Sequence, residues 1–244
     1  MLIAPLYHKI GSGKYANSLE TLEQHLAYIA AHFSTVLPGE NLPKGTSVCL
    51  TFDDAFFDFY HLVFPLLQKY NLKALLAVPT AYIPESTDLS PMERLEKVAS
   101  FPDKAPPIPS PAFCTWEELQ VLSQSPLIQI ASHSLHHRPF TSKHINIENE
   151  LFLSKKLLEE KLSTPISSFV YPFGLFTQKA QTLAKKHYKY IFRIGSAHNI
   201  SWKNTNQLLY RINADELPTT HFPFDPLSRW KLATRFFLNT VRGR

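Results

Sequence analysis

The chain has 244 residues, of which 44% are hydrophobic and 18% charged, and its formal net charge is +5. This composition is ordinary for a globular protein with a hydrophobic core, and it excludes a chain that is disordered over most of its length. The small basic excess favours anionic glycans, phosphates or membrane surfaces, but it does not indicate nucleic-acid binding. The length is typical of an α/β barrel folded as one domain.

The first residues and the two cysteines indicate where the protein acts. Residues 1–8 lack the basic region and the long apolar run of a signal peptide, and no stretch approaches the roughly 18 apolar residues that span a bilayer. Cys49 lies in an apolar run far from Cys114, so neither a disulfide framework nor a metal-binding cysteine pair is indicated. We therefore expect a cytoplasmic protein.

Strands and helices alternate along the first third of the sequence. The predicted elements are a strand at 2–7, a helix opened by residue 17, a strand at 48–52, a helix at 57–70 and a strand at 73–79. Asn17 is predicted to cap the first helix, with Glu20 three residues on as in a capping box. Pro65 should kink or divide the second helix.

Residues 84–112 interrupt this alternation. They contain seven of the 19 prolines and show little hydrophobic periodicity. A stretch of this length without secondary structure is uncommon in a compact domain and is often functional. We predict an inserted loop here, which could lie over a site as a lid.

The alternation resumes after the insertion. The predicted elements are a helix capped by Thr115, a strand at 127–131, a helix at 146–162, a strand at 167–171, a helix at 177–187 and strands at 190–194 and 208–212. Strands that alternate with helices form right-handed units with parallel strands. Because no repeat and no second domain is indicated, we expect one α/β domain built on a parallel sheet or barrel.

Unusual residues follow four of the predicted strands. His8, the pair Asp53 and Asp54, His133 and the segment 172–174 all stand at strand ends. In parallel barrels the carboxyl ends of the strands meet at one face, where the chemistry is found. We therefore expect these residues to share one site.

Two of these positions suggest a metal. Asp53 and Asp54 are adjacent carboxylates after an apolar strand, and a cation would offset their repulsion and desolvation. His133 and His137 are four residues apart, so a turn can aim both rings at one point. Two imidazoles and one carboxylate form a three-ligand set with an open position, as in catalytic zinc sites. The alternatives are surface acids or a helix cap for the carboxylates, and an incidental histidine-rich loop.

Three motifs resemble those of the polysaccharide deacetylases, also known as the NodB homology or carbohydrate esterase 4 family. Residues 51–54 (Thr-Phe-Asp-Asp) resemble the first motif, with Ala55 in place of its usual glycine. Residues 133–137 match the second motif, His-Ser/Thr-x-x-His, and residues 171–174 (Tyr-Pro-Phe-Gly) are similar to the third. The three motifs occur in the family's order, each at a predicted strand end.

The resemblance covers about residues 1–215 and leaves out 84–112 and the C-terminal tail. It implies a NodB-type distorted (β/α) barrel with parallel strands, which we expect to form a single domain over 1–244. It also implies a role for each matched residue: Asp53 as general base, Asp54, His133 and His137 as metal ligands, and the backbone N–H of Phe173 as an oxyanion donor.

The partner of the base and the general acid are less evident. The family's arginine usually stands where this chain has Val170, so Arg193 or Arg211 could replace it. The family's general acid is the histidine of a late Leu-x-His motif, of which this chain has no clear copy.

The start of the chain, Leu-Tyr-His at 6–8, instead resembles the circularly permuted poly-N-acetylglucosamine deacetylase branch. That resemblance implies His8 as the general acid. His198 and His221 are the alternative acids, and His8 could merely cap or pack at a strand end.

The resemblance implies a metal-dependent hydrolase that removes N-acetyl groups from an N-acetylhexosamine-containing polysaccharide or a lipid-linked glycan. One divalent metal is expected, with zinc favoured and cobalt, nickel, manganese or iron able to occupy the same ligands. The alternatives are a hydrolase of another C–N bond, such as a small cyclic amide, and a non-catalytic glycan-binding protein. The retained Asp53 argues against pure binding, which needs no base.

The C-terminal tail, residues 226–244, carries aromatic and aliphatic residues among basic ones. Such a basic helix could make a peripheral contact with a membrane surface, which would favour a lipid-linked sugar as the substrate. More often such a stripe packs a terminal helix on its own domain, and we expect packing. No feature of the sequence predicts an oligomeric state.

Overall fold

The computed structural model describes residues 1–102, 105–204, 207–215, 217 and 219–242. The strands of this part of the chain are β1 (Leu2–Ile3), β2 (Pro5–Tyr7), β3 (Lys9–Ile10), β4 (Ala16–Asn17), β5 (Ser34–Thr35), β6 (Ser47–Val48), β7 (Leu50–Phe52), β8 (Ala74–Val78), β9 (Ile128–Ser132), β10 (Ser168–Val170), β11 (Tyr190–Ile194) and β12 (Leu208–Asn213). The α-helices are α1 (Leu19–His32), α2 (Phe64–Lys69), α3 (Pro91–Ala99), α4 (Trp116–Gln124), α5 (Ile147–Leu162), α6 (Gln178–His187) and α7 (Pro226–Val241).

Within the described residues, seven parallel strands close into a barrel. Their order around the barrel is β10, β11, β12, β2, β7, β8 and β9, and the ring closes where Phe169 of β10 lies opposite Ser132 of β9. The early strand β2 thus lies between β12 and β7, with Leu6 opposite both Asn213 and Thr51. The predicted parallel (β/α) barrel is confirmed.

The hydrophobic core is divided by the barrel wall, because alternate residues of a strand face opposite sides. The inner cluster of buried side chains includes Ala4, Cys49, Leu75, Ala131 and Leu209, which come from five neighbouring strands or their extensions. The intervening strand residues pack against the helices in a larger outer cluster. Strands that are buried on both faces need apolar residues at every position, which explains their continuous apolar runs in the sequence.

Two predicted helices begin differently in the structure. Asn17 was predicted to cap the first helix, and this was wrong: it lies in β4, while Ser18 caps α1 by accepting a hydrogen bond from the backbone N–H of Thr21. Both residue types cap helices well, so the pattern alone did not separate them. The second predicted helix is divided, with a π-helical turn at Phe59–Val63 followed by α2. Pro65 lies in the first turn of α2, where no N–H is needed.

The insertion at 84–112 was predicted as a loop, and this was wrong for part of it, because α3 lies within it. Ser90 caps α3, Glu93 completes a capping box, and Pro91 takes the first helical position. These three residues form a helix start signal that the surrounding prolines obscured. Residues 103 and 104 of the insertion lie outside the described residues.

The predicted basic C-terminal helix corresponds to α7, which begins after its cap Asp225. It packs on the barrel through the buried side chain of Leu232, and the side-chain amide of Asn239 donates to the carbonyl oxygen of Gly195 at 3.0 Å. Residues 243 and 244 of the predicted segment lie outside the described residues. None of the helices in the described part of the chain combines the length and apolarity needed to cross a bilayer.

Candidate active site

The candidate site lies at the carboxyl ends of the barrel strands. Every second residue of a strand points into the barrel, and this alternation continues past the end of the strand. The inward-facing positions therefore include His8 after β2, Asp53 after β7, His133 after β9 and Arg211 within β12. Strand alternation and barrel closure therefore direct these side chains to the same end of the barrel.

A cavity of about 640 Å³ opens at this end. The six residues assigned roles from the sequence all line it: His8, Asp53, Asp54, His133, His137 and Phe173. A further wall of the cavity is apolar and aromatic and comes partly from the insertion; it includes Phe56, Tyr82, Phe101, Ala105, Pro107 and Phe113. The structure thus brings the predicted site residues together, and the insertion forms part of the wall beside them.

Asp54, His133 and His137 form the candidate metal centre, with one ligand atom from each lying within 4.8 Å of the others. Nε2 of His137 is 3.2 Å from Nε2 of His133 and 3.3 Å from Oδ1 of Asp54. Nε2 of His133 is 3.8 Å from that same oxygen. Two imidazole nitrogens and one carboxylate oxygen converge here, and this donor set suits zinc and related divalent ions.

Both histidines are held in the neutral form that binds a metal. Nδ1 of His133 donates to the carbonyl oxygen of Val170 at 2.8 Å, which leaves the lone pair of Nε2 directed at the centre. Burial lowers the pKa of His133 and of His137 to about 4, so both rings are uncharged near pH 7. Burial raises the pKa of Asp54, and a bound cation would favour its carboxylate form.

Glu150 of α5 holds the loop that carries these histidines. Its Oε2 accepts the backbone N–H groups of Leu135 and His136 at 3.0 and 2.8 Å. Its Oε1 pairs with Nδ1 of His136 at 2.7 Å. The middle histidine of the cluster is therefore bound by Glu150 and does not join the three candidate ligands. The sequence did not single out Glu150, which lies in an otherwise ordinary amphipathic helix.

Asp53 lies beside the metal centre and is bound by Arg211. The guanidinium donates from Nη1 to Oδ1 at 2.6 Å and from Nη2 to Oδ2 at 2.8 Å. Burial alone would raise the pKa of Asp53, but the charge and hydrogen bonds of Arg211, together with the charges of His133 and His8, outweigh burial and hold the pKa well below its usual range. Oδ2 of Asp53 is 3.6 Å from Nε2 of His133. Asp53 is thus an ionised carboxylate next to the candidate ligands.

His8 faces the same carboxylate from the other side, with its Nε2 at 3.9 Å from Oδ2 of Asp53. Its Nδ1 is 2.6 Å from Oδ2 of Asp215, and its backbone N–H donates to Oδ1 of Asp215 at 3.1 Å. Burial lowers the pKa of His8, but the hydrogen bond and charge of Asp215, together with the charges of Asp53 and Asp54, outweigh burial and raise the pKa to about 9. His8 is therefore an imidazolium at neutral pH, with Asp215 on one nitrogen and the cavity on the other.

Asp215 is a site residue that the sequence patterns did not reveal. It lies two residues beyond the end of β12, and its side chain is almost fully buried. The rule that polar residues at strand ends carry the chemistry, applied to the last strand as it was to the others, would have pointed to this segment.

Phe173 lies in a short 3₁₀ turn, Pro172–Gly174, with a positive φ of 58°. Residues other than glycine rarely adopt this conformation, and they cluster at functional sites. The ring lies against His137, with 4.8 Å between ring centroids, and 49% of the residue is exposed. The turn therefore places Phe173 on the cavity wall next to one of the candidate ligands.

The other candidates from the sequence are not among the residues that line this cavity. His198 stacks on Phe236 of α7, with 5.5 Å between ring centroids. His221 is exposed and meets the ring of Tyr28 edge-on at 5.4 Å. Arg193 donates from Nε to a carbonyl oxygen of its own strand at 2.8 Å. Of the three candidate acids, the structure thus brings His8 alone to the described cavity.

The fold and the site geometry agree with what this chain is similar to. Over 96 residues it is 31% identical to the poly-beta-1,6-N-acetyl-D-glucosamine N-deacetylase of Escherichia coli K12. That alignment covers 39% of this chain and 13% of the E. coli enzyme, so the chain matches only a small part of that protein's length.

Two solved structures resemble it over nearly the whole chain, and at their low identity the likeness concerns the fold. The deacetylase PplD of Streptococcus pyogenes in complex with acetate has 21% identity and a TM-score of 0.69, covering 95% of this chain and 97% of that one. IcaB from Ammonifex degensii has 19% identity and a TM-score of 0.71, with the same coverage of 95% and 97%. A family model described as polysaccharide deacetylase matches residues 40–191, which include all three motifs, and the chain therefore belongs to the polysaccharide deacetylase family.

Proposed function

We propose that this protein is a metal-dependent hydrolase that removes the N-acetyl group from an N-acetylhexosamine unit of a polysaccharide or a lipid-linked glycan. The position of Asp53 carries this proposal. Arg211 keeps its carboxylate ionised beside the three candidate ligands, yet the carboxylate is not one of them. A glycan-binding protein needs no such base, so Asp53 favours turnover over binding alone.

Asp54, His133 and His137 would hold one divalent ion. The Nε2 lone pair of His133, directed at the centre by the bond from Nδ1 to Val170, fits this role. Zinc suits these donors, and cobalt, nickel, manganese and iron accept the same set. When bound, the ion supplies Lewis acidity to water and to the acetyl carbonyl.

The chain's own residues account for the proton transfers of the proposed reaction. Asp53 takes the proton of the attacking water. His8, kept protonated by Asp215, donates a proton to the departing amine nitrogen. The backbone N–H of Phe173 donates to the carbonyl oxygen as it gains negative charge. Each acid–base partner should contribute on the order of 10²–10⁴ in rate.

The name of a relative and the charge of the cavity both support this substrate class. The name of the E. coli relative states a poly-N-acetylglucosamine substrate, which favours an N-acetylglucosamine unit here as well. Lys9, Lys14 and Arg138 line the cavity and add positive charge close to the candidate ligands. That charge suits an anionic group next to the sugar, such as the phosphate of a lipid-linked glycan.

The test follows metal content and acetate release separately. After chelation and addition of zinc, Asp53→Asn should retain the metal and lose acetate release by a factor on the order of 10²–10⁴. His133→Ala and His137→Ala should lose both. His8→Ala should retain the metal and turn over more slowly. Metal is measured by elemental analysis, and acetate release is measured on polymeric and lipid-linked acetylated sugars, with cyclic amides as a second panel.

Each alternative has its own outcome in this experiment. Unchanged metal in His133→Ala would refute the ligand assignment. Wild-type protein that holds metal and hydrolyses neither panel would be a binding protein, and hydrolysis of cyclic amides alone would identify the other C–N hydrolase. Wild-type rates in His8→Ala would refute His8 as the general acid, and rates in His198→Ala and His221→Ala would then test the two alternatives from the sequence.

A further inference from the structure

The inner and outer faces of α7 are both apolar, but only the inner face is packed. On the inner face Leu232 is 3% exposed, and the ring of Phe236 stacks on His198. Asn239 donates to the carbonyl oxygen of Gly195 on the same side. The packing expected from the sequence is therefore present on this face.

The outer face presents five large apolar side chains to solvent. Their exposed fractions lie between 41% and 69%, in the order Leu227 62%, Trp230 68%, Phe237 66%, Leu238 41% and Val241 69%. At 3.6 residues per turn they fall within about 100° of one another around the helix axis, which places them in one stripe opposite the packed face. A stripe of this size on the surface of a globular domain indicates an interaction site.

The charges of α7 indicate what the stripe meets. Lys231, Arg235 and Arg242 fall side by side along one border of the stripe at helical spacing, and the residues of α7 include no acid. Arg229 lies towards the packed side, where its Nε donates to the carbonyl oxygen of Phe224. The exposed face therefore combines an apolar stripe that contains a tryptophan with a purely basic border.

We propose that the outer face of α7 binds the surface of an anionic phospholipid bilayer, with the stripe at the boundary of headgroups and acyl chains and the basic border on lipid phosphates. This arrangement is that of interfacial amphipathic helices, in which tryptophan lies at headgroup level. The 16 residues of α7 are too few to span a bilayer, which agrees with an orientation along the surface.

A second copy of the chain is a poorer occupant. In a two-fold dimer the same patch lies on both sides of the interface, so two basic borders would face each other without an acid on either helix. An anionic bilayer meets both the apolar and the charged requirement. Asn213 lines both the site cavity and a second cavity bordered by Trp230 and Arg235, so the mouth of the site is close to this face. The inference does not depend on the proposed hydrolysis.

The test is flotation of the full chain with vesicles of phosphatidylcholine, with or without phosphatidylglycerol. Wild-type protein should float with the anionic vesicles and only weakly with the neutral ones. Trp230→Ala with Phe237→Ala should weaken binding to anionic vesicles by about a hundredfold, since each buried side chain contributes about tenfold or more. Lys231→Gln with Arg235→Gln should weaken it by about fivefold for each charge, and only with phosphatidylglycerol.

A matched control lies on α5, where Phe152 is a 47% exposed aromatic residue outside the stripe. Phe152→Ala should float like the wild type, and circular dichroism of every variant checks that the fold is retained. Absence of wild-type binding to both vesicle types would overturn the inference, as would binding that survives the loss of Trp230 and Phe237. A dimer in sedimentation that the same two substitutions dissociate would assign the stripe to a second copy instead.

Discussion

Arg94 and Arg211 are both buried, and each donates two hydrogen bonds to one carboxylate. The two arginines differ in their other contacts. Arg94 binds Glu118 through Nη1 and Nη2 at 2.6 and 2.9 Å, and donates to the carbonyl oxygens of Pro111 and Phe113. Its guanidinium also lies 3.6 Å from the ring of Phe57. Every guanidinium nitrogen of Arg94 therefore has a hydrogen-bond partner. The ion pair of Arg94 and Glu118 links α3 of the insertion to α4.

Arg211 makes the same bidentate pair with Asp53 but is less completely satisfied. Among the described residues, its Nε has no hydrogen-bond partner although it is buried. Asp53 in turn lies close to His8 and His133, so its carboxylate is shared with the candidate site. The same bidentate ion pair thus joins two helices in the insertion region and keeps a carboxylate ionised at the candidate site, and the neighbouring residues account for the difference.

The largest expected effect comes from breaking the pair at the site. Arg211→Met removes the counter-charge that binds the buried Asp53 directly and leaves only more distant positive charge such as His8, so the pKa of Asp53 should rise. The proposed base is then less ionised near neutral pH, and activity should fall by a factor on the order of 10²–10⁴. Because the base must be ionised, the residual activity should rise with pH across a range where the wild type shows no such limb.

The measurement is kcat/KM against pH, with metal content determined in parallel. Retained metal together with the new acidic limb supports a role for Arg211 in tuning the base. If the activity of Arg211→Met stays within a few-fold of wild type and its pH profile is unchanged, the ion pair of Arg211 and Asp53 is structural, like the ion pair of Arg94 and Glu118.

Breaking the pair in the insertion should instead lower stability. Arg94→Met leaves the partly buried charge of Glu118 without its counter-charge, which costs about 3–5 kcal/mol of the free energy of unfolding. Metal affinity should not change, because neither residue approaches Asp54, His133 or His137. Denaturant unfolding and metal titration separate the two effects.

The matched variant replaces both partners by apolar residues. Arg94→Met combined with Glu118→Leu should recover most of the lost stability, because an apolar pair replaces a buried ion pair at little net cost. A double variant as unstable as the single one would show that the bonds from Arg94 to Pro111 and Phe113, or the bond from the backbone N–H of Thr115 to Glu118, matter more than the ion pair.

The pair of His8 and Asp215 should show a smaller effect that depends on pH. The pKa of His8 is raised to about 9, above the ordinary value of 6.5, with Asp215 as the main acidic partner, so the proposed general acid stays protonated up to that pH. Asp215→Asn keeps an oxygen acceptor but removes the charge, so the alkaline limb of the rate profile should move to lower pH. Above the new pKa of His8, the protonated fraction falls by about a factor of ten for each further pH unit.

The same linkage predicts how stability depends on pH. A raised histidine pKa stabilises the folded protein fully below pH 6.5, and this contribution is lost as the pH rises through about 9. Stability curves and ring titration by NMR, in wild type and Asp215→Asn, check both. An alkaline limb that does not move in the variant would exclude His8 as the group that titrates.

The site residues that the sequence predicted are those encoded in local motifs. Asp53 and His133 follow apolar runs that identify their strands, so finding the strand also finds the residue. Arg211 and Asp215 are different, since they meet partners 158 and 207 residues away in the chain. Only closure of the barrel, which brings β12 beside β2, creates those contacts. The sequence left the arginine open between two candidates and did not single out Asp215.

The secondary-structure elements also differ in whether the local sequence or a distant partner determines them. Long runs with clear periodicity, such as α5 and β8, were found with nearly their observed ends. The two-residue strands β3, β4 and β5 were not predicted, because so short a segment has no readable period and depends on a partner strand. Helix α3 was missed although its start signal is local, because the prolines around it outweighed that signal in the prediction.

The smallest expected effect concerns the turn that presents Asp53 and Asp54. Ala55 replaces the motif's usual glycine and adopts a positive φ of 55°, which costs an alanine about 1–2 kcal/mol relative to a right-handed conformation. Ala55→Gly would relieve this strain. The methyl group is fully buried, however, and its loss costs about 0.8 kcal/mol. Glycine's freedom in the unfolded chain subtracts a similar amount, so the net change should stay within about 1 kcal/mol.

Ser163 provides a control that separates the relief of backbone strain from the loss of a buried methyl group. It has a positive φ of 51° at the end of α5 and is exposed, so Ser163→Gly relieves the same strain without losing a buried group. It should raise the free energy of unfolding by up to about 1 kcal/mol, while Ala55→Gly should leave both stability and acetate release near wild-type values. If Ala55→Gly abolishes activity at unchanged stability, the methyl group positions the neighbouring Asp54, and the alanine has a function that glycine lacks.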